Sequence, residues 1–405
     1  MAPTLLIVGA GHAAGQLVAS LAQRKADMNI VLVGEEASLP YQRPPLSKKF
    51  LSGEMEAGRL LVRPGEFYDH PSITVHTGTR ITAIDRSEKV AIAEDGTRFH
   101  YDQLVLATGS RARTLDIPGS DLDGVYTLRS IVDVDGIRPE LVSGNRLTVV
   151  GAGYIGMEVA ASAISMGIEV TVIESVGRVM ARSVSPFVSG VFEDIHREKG
   201  VSLILDGKVS EFCGSGKIDS VRLADGRAIA TDAVVVGVGA VPNIELAVDA
   251  GLETGDGIVV DTQCRTSDPD VFAIGDCTWH PNPLLDRKLR LESVHNALEQ
   301  AKTTAAVLCG ESSEYAQIPW FWSDQYEYKL QIAGLSDDYD DTVIRGSVEA
   351  RRFSCLYLKD GRLIAIDAVN SPVDFVQARS LIAEGREVSR MRLENPDTPV
   401  KDGII

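Results

Sequence analysis

The sequence predicts an α/β chain in which two Rossmann-like dinucleotide-binding domains are followed by a small α+β C-terminal domain. Three observations carry this. A glycine-rich loop between a strand and a helix opens the chain at residues 9–14. The same plan recurs in mid-chain at residues 151–156. Beyond about Pro319 the pattern changes to short strands joined by tight turns.

In the first stretch, "TLLIVGAGHAAGQLVASLAQRK" reads as a buried strand, a turn, and a helix with alanine and leucine on one face. Gly9 permits the turn, Gly11 lets the backbone approach a pyrophosphate, and Ala14 takes the helix–strand packing position. The next strand, "NIVLVGEE", ends in Glu35, 24 residues beyond Gly11, where an acid can accept the hydrogen bonds of a ribose diol. The mid-chain stretch "NRLTVVGAGYIGMEVAASAISMGIEVTVIES" supplies Gly151, Gly153 and Gly156, then Glu174, 21 residues beyond Gly153. One such loop is weak evidence; two, each flanked by strand, helix, strand and terminal acid, are strong. Glu174 favours NADH, because a carboxylate repels the 2′-phosphate of NADPH; Arg178 is the one basic residue close by.

Three more stretches add strands. "LVLATGSRAR" leads into Thr108-Gly109, "AVVVGVGAVPN" is of the same type and contains Gly239, and "DVFAIGDC" ends in Gly275-Asp276. Each alone reads as a buried strand and a turn. "SSEYAQIP" then forms a polar, proline-ended join, and "RRFSCLYLKDGRLIAIDAV" carries a hairpin pattern with Asp360-Gly361 at its turn.

Composition narrows the function. At 405 residues, with 44% hydrophobic and 24% charged residues, two or three globular domains are expected. No apolar run approaches the ~18 residues of a membrane span, and the first apolar run lacks the cationic start of a signal peptide, so the cytoplasm is the expected compartment. A formal net charge of -17 argues against nucleic acid as a partner. The five cysteines form no CxxC or CxxxxC pair, so neither a disulfide framework nor a metal or iron–sulfur site is expected.

The stretches "YQRPPLSK", "GAGYIGMEVA", "VFAIGDC", "RLESVHNALEQA" and "PWFWSDQYEYKLQIAG" resemble the NADH-dependent ferredoxin reductases of bacterial P450 and Rieske-type oxygenase systems, over nearly the whole chain. Apoptosis-inducing factor is a more distant relative. The resemblance implies an FAD domain from residues 1–112 and 240–318, an NADH domain at 113–239, and a C-terminal domain at 319–405. FAD and NADH are the implied cofactors.

Hydride transfer from nicotinamide to flavin needs no side-chain acid or base, so the residues to seek are charged groups around the flavin. The resemblance places Lys48 beside flavin N5, paired with Glu158, where a fixed cation would stabilise the reduced flavin. Without the resemblance, Glu158 reads as an exposed acid in the first turn of a helix, favoured by the helix dipole. Lys49 is the neighbour that competes with Lys48, and spacing from Pro44-Pro45 selects Lys48. Arg43 is implied to face the FAD phosphates, with Arg111 able to reach the same cofactor. Thr108, Gly109, Asp276 (on the ribityl chain), Val294 and Trp320 (over the flavin) complete the implied FAD set. Ile155 and Gly239 join the NADH set. Glu292, Val294 and His295 are expected in the first turn of a helix facing the flavin pyrimidine edge; His295 and Trp322 are assigned to packing.

The implied partner is an acidic [2Fe–2S] ferredoxin, docking through Arg63, Lys302 and Lys329, with Arg287 and Lys288 nearby in sequence; the chain itself is expected to be a monomer or weak homodimer. The alternatives are a flavoprotein like apoptosis-inducing factor that responds to NADH by changing its binding, and an NADH oxidase. Disulfide reductases, thioredoxin reductases and NADH peroxidases need redox cysteines at places where this chain has none.

Overall fold

A computed structural model describes residues 2–405. The chain forms two compact units. The first comprises Met1–Arg43, Ala57–Arg111 and Val241–Pro319; the second comprises Pro44–Glu56, Ala112–Ala240 and Trp320–Ile405.

In the first unit, five parallel strands stand in the order Val271–Ala273, Gln103–Leu106, Thr4–Val8, Asn29–Val33, Ile73–His76. Alternation along Thr4–Val8 sends Leu5 and Ile7 into one core and Leu6 and Val8 into another. The helix His12–Gln23 covers the first face with Ala14, Leu17, Val18 and Leu21, which meet Ala297, Ala301 and Ala305 of the helix Val294–Leu308. Each fully buried leucine there stabilises by about 1.5–3 kcal/mol. The second face meets a three-stranded antiparallel sheet, Ile81–Asp85, Val90–Ala93 and Arg98–His100, through Ile81, Ala91, Ala93 and Phe99.

The second unit repeats the parallel plan: Ser202–Ile204, Glu169–Ile173, Arg146–Val150, Ala233–Val236, Val125–Thr127. It adds a three-stranded antiparallel sheet and a five-stranded antiparallel one, ordered Trp320–Gln325, Tyr328–Gly334, Arg362–Val369, Arg352–Lys359, Asp341–Ser347. The Asp360-Gly361 turn forms as expected: Lys359 pairs with Arg362, and both turn residues take positive φ, at 48° and 72°.

The segment Pro44–Ser47 is a short 3₁₀ helix in this second unit. Two prolines preset φ, and the Lys48 and Phe50 amides both donate to Pro45 O. Ser162 Oγ, on the helix Tyr154–Ser165, donates to Ser47 O at 2.8 Å, and Arg138 donates to Phe50 O while stacking on its ring.

Candidate functional site

The two glycine loops obey one steric logic. Gly9 and Gly151 have φ of +104° and +101°, and a Cβ at either would lie 2.2 Å or 2.4 Å from a carbonyl of the neighbouring strand's exit, Ala107 O or Gly237 O. Gly11 and Gly153 each cap a helix with nothing within 4 Å of the Cβ position. Neither helix has a side-chain cap or an acid in its first turn, so the leading amides are left for an anionic ligand. At the third position, Ala14 is fully buried, and a Cβ on Gly156 would lie 2.0 Å from Gly151 O. Crowding where the chain must turn and openness where a phosphate must approach fit a dinucleotide at both loops.

The terminal acids differ. Glu174 sits close to its own loop: Oε2 accepts from the Ala152 amide at 2.7 Å, and Oε1 from the Val176 amide at 3.1 Å. Glu35 is exposed, with Arg80 at 3.9 Å. Arg178 donates to Val184 O, Ala181 O and Ser189 Oγ, so its guanidinium is committed to its own loop. Ile155 is exposed in the first turn of its helix, an unusual place for isoleucine. Gly239 has φ +116°, and the Arg182 guanidinium lies 3.5 Å from where its Cβ would be.

In the first unit Asn243 gathers the Thr108-Gly109 turn. It donates to Thr108 O at 2.9 Å, its own carbonyl accepts from Thr108 Oγ1 at 2.7 Å, and its amide donates to Gly109 O at 2.9 Å. Arg111 donates to Asn243 Oδ1 and pairs with Glu245 at 2.9 Å, so it is held at the surface. Asp276 accepts from Ser110 Oγ at 2.9 Å, and the adjacent Gly275 amide donates to the buried Gln300 at 2.7 Å. Arg43 pairs with Glu36 at 2.6 Å and donates to Tyr41 Oη at 3.0 Å. Burial opposes its charge, yet Tyr41, Glu36 and Asp276 together raise its pKa above the ordinary value.

The helix expected from Arg290 begins later. Ser293 caps it, accepting from the Asn296 amide at 3.1 Å, and Val294 is its first residue. Glu292 therefore precedes the helix, where it pairs with Arg290, and His295 is buried.

A deeply buried charge in the second unit is Glu158. It is the fifth residue of the helix Tyr154–Ser165 and only 4% exposed, which corrects its bland reading as an exposed first-turn acid. Lys48 Nζ lies 2.7 Å from Oε2, which also accepts from Ser47 Oγ at 2.5 Å. Oε1 accepts from Ser323 Oγ at 2.6 Å. Lys48 Nζ also donates to Pro44 O at 3.2 Å, whereas Lys49 is exposed. Glu158 is thus a buried carboxylate surrounded by a cation and two hydroxyl donors. The family resemblance pointed to this lysine and spacing from the prolines chose Lys48 over Lys49, but Ser47 and Ser323 were not singled out from the sequence.

Trp320 stacks against Trp322 at 5.6 Å and edges Phe375 at 5.9 Å, with the Arg379 guanidinium 5.3 Å from its ring. Lys302 pairs with Glu299 and Lys329 with Asp324, both at 2.6 Å. The five cysteines are free; burial pushes the Cys264 and Cys355 thiols up to about 12 and raises Cys277, so these are poor thiolates.

Comparison with known proteins decides the family. Residues 3–301 match the pyridine nucleotide-disulphide oxidoreductase family, and residues 320–404 match a reductase C-terminal domain. The ferredoxin reductase subunit of 5,5′-dehydrodivanillate O-demethylase from a Sphingobium strain is 42% identical, covering 98% of this chain and 97% of its own. Putidaredoxin reductase of Pseudomonas putida is 40% identical, over 99% of this chain and 96% of its own.

The chain belongs to the ferredoxin reductases of this oxidoreductase family.

Solved structures agree with that. The reductase superposes on a ferredoxin reductase of Rhodopseudomonas palustris, serving the CYP199A2 system, with a TM-score of 0.96 at 41% identity and full coverage of both chains. It superposes on putidaredoxin reductase in covalent complex with putidaredoxin with a TM-score of 0.95 at 40% identity, covering 98% of this chain and 97% of that one. The reductase is thus a two-dinucleotide oxidoreductase that uses FAD and NAD(P)H. No helix among the described residues is long and apolar enough to cross a membrane.

Proposed function

We propose that the chain is an NADH-dependent ferredoxin reductase that delivers electrons singly to a [2Fe–2S] ferredoxin serving a P450 or Rieske-type oxygenase. The observation that carries this is the buried Lys48–Glu158 pair, with no cysteine in the segment Tyr41–Phe50 that supplies Lys48. Bound FAD supplies the chemistry of taking two electrons from NADH and releasing them one at a time.

The chain's own residues bind and bias that chemistry. Gly9, Gly11 and Ala14 receive the FAD pyrophosphate at an uncapped helix, Glu35 the ribose, and Arg43 contributes charge. Thr108, Gly109, Arg111, Asp276, Val294 and Trp320 complete the FAD set, with Arg111 reaching it only if its hold on Asn243 and Glu245 loosens. Gly151, Gly153, Ile155, Gly156 and Gly239 receive NADH, and Glu158 orients the nicotinamide while anchoring Lys48. Glu174 beside the second loop and the committed Arg178 support NADH over NADPH. The proposed division remains an FAD domain at residues 1–112 and 240–318, an NADH domain at 113–239 and a C-terminal domain at 319–405.

Docking is assigned to Arg63, Lys302 and Lys329. Arg63 has no ion pair among the described residues, and the two lysines must exchange Glu299 and Asp324 for ferredoxin acids. The free cysteines suit the reducing cytoplasm.

The test is NADH-driven cytochrome c reduction with and without an oxygenase-system [2Fe–2S] ferredoxin. A large rise with ferredoxin supports the assignment. Slow flavin reoxidation with no ferredoxin dependence would instead favour an NADH-responsive binding protein.

A further inference from the structure

The carboxylate of Glu158 terminates a chain of buried hydrogen bonds that reaches the surface of the second unit. Ser323, Gln325 and His196 are all fully buried. Ser323 and Gln325 alternate along the strand Trp320–Gln325, so both face inward, while His196 comes from the helix Pro186–Glu198.

The direction of every bond follows from one fact: a carboxylate only accepts. Ser323 Oγ lies 2.6 Å from Glu158 Oε1, so its single proton is spent there. Ser323 must then accept from Gln325, which fixes the amide with Nε2 at 3.1 Å from Ser323 Oγ. The reverse amide orientation would set Gln325 Oε1 against a hydroxyl with no proton left to give. Gln325 Oε1 therefore turns to His196 Nε2, at 2.9 Å, and makes that nitrogen the protonated one. Nδ1 of His196 accepts from Tyr326 Oη at 3.2 Å.

Burial pushes the imidazole down to about 4, which keeps it neutral and in this tautomer at neutral pH. Burial, with Glu327 beside it, raises the Tyr326 phenol, which keeps its proton to donate. Tyr326 sits at the hairpin turn with φ 56°, half-buried, with Lys199 5.4 Å over its ring. From Tyr326 to Glu158 every donor points the same way, and bonds aligned head to tail polarise one another.

We propose that Ser323, oriented by Gln325 and His196, is a positioning residue that fixes the Glu158 carboxylate against Lys48, so that the C-terminal hairpin sets the geometry of the charge pair. This rests on the assignment of that pair to flavin reduction. Ser47 and Lys48 hold one carboxylate oxygen and, among the described residues, only Ser323 holds the other, so loss of Ser323 frees the group to rotate. It also leaves a buried oxygen without a donor.

The test is a double-mutant cycle on the FAD-loaded protein, reading the limiting rate of flavin reduction at saturating NADH by stopped flow. Ser323→Ala is expected to slow that rate about tenfold, the worth of one hydrogen bond to a charged group. In a Lys48→Ala background the same change should add less than about twofold, because the pair it serves is already gone. Gln325→Met, which keeps the volume and removes the amide, should slow the rate in the same non-additive way and serves if Ser323→Ala does not fold. An unchanged rate in Ser323→Ala beside a slowed Lys48→Ala overturns the positioning role alone. Equal factors in both backgrounds overturn the route through Lys48. A normal rate in Lys48→Ala overturns the assignment of the pair itself, and the positioning role with it.

Discussion

Lys48 Nζ lies 2.7 Å from Glu158 Oε2, and the hydroxyl of Ser47, one residue before it, meets the same oxygen. Two adjacent residues reach one atom because the proline-built 3₁₀ turn projects both side chains toward the helix Tyr154–Ser165. Holding a charge pair this deep costs desolvation that the pair and its added hydrogen bonds must offset. Such an arrangement is poor value as a staple and suits a fixed field.

The two glycines of the first loop should fail differently. Gly9→Ala forces φ +104° on an L side chain and drives Cβ into Ala107 O, so the unfolding temperature should fall by the equivalent of about 1–3 kcal/mol or more. Gly11→Ala meets no protein atom, so stability of the FAD-free protein should hold while FAD is lost on desalting. Thermal melts and flavin absorbance per protein separate the two. Retained FAD in Gly11→Ala would remove the pyrophosphate from that loop.

Nucleotide choice should follow Glu174. As the proposed acceptor for a ribose diol that would repel a 2′-phosphate, it predicts kcat/KM for NADH above that for NADPH by about 10- to 100-fold. Glu174→Ala should narrow the ratio mainly by raising KM for NADH. Steady-state kinetics with both nucleotides measure it, and an unchanged ratio would shift the selectivity elsewhere.

A pH dependence of stability is built into the C-terminal sheet. Asp367 is buried, accepts from the Tyr357 hydroxyl, and has a second oxygen with no hydrogen-bond partner among the described residues. Burial raises its pKa from 3.8 to about 7, against the Tyr357 hydrogen bond. Between those values the folded protein holds a proton that the unfolded chain releases, so this group's contribution to stability falls as pH rises from about 4 to 7. Asp367→Asn should flatten that slope in melts across the window. A steeper fall in the variant would contradict the assignment.

The repeated loops and the Asp360-Gly361 hairpin were legible because each rests on local physics: a turn only glycine tolerates, a strand face of period two, a positive φ. Glu158 stood out only through the family resemblance, since the residues alone read as an exposed first-turn acid. Its partners did not. Ser47, Ser323, Gln325 and His196 are distant in sequence, each a single polar residue, and they converge only through tertiary packing. The alternating serine and glutamine in "WFWSDQY" were the available hint, since polar residues at strand spacing among aromatics mark an inward polar face. Asn243 and Gln300 escaped for the same reason, and the helix was started a turn too early, with Glu292 inside it, because the Ser293 cap fixes the true start at Val294.

The most direct measurement is stopped-flow reduction of FAD-loaded Lys48→Ala by saturating NADH. Loss of the cation proposed to stabilise the reduced flavin should lower the limiting rate by about 100-fold, with FAD content unchanged. A limiting rate equal to that of the unaltered protein would contradict the role of the Lys48–Glu158 pair.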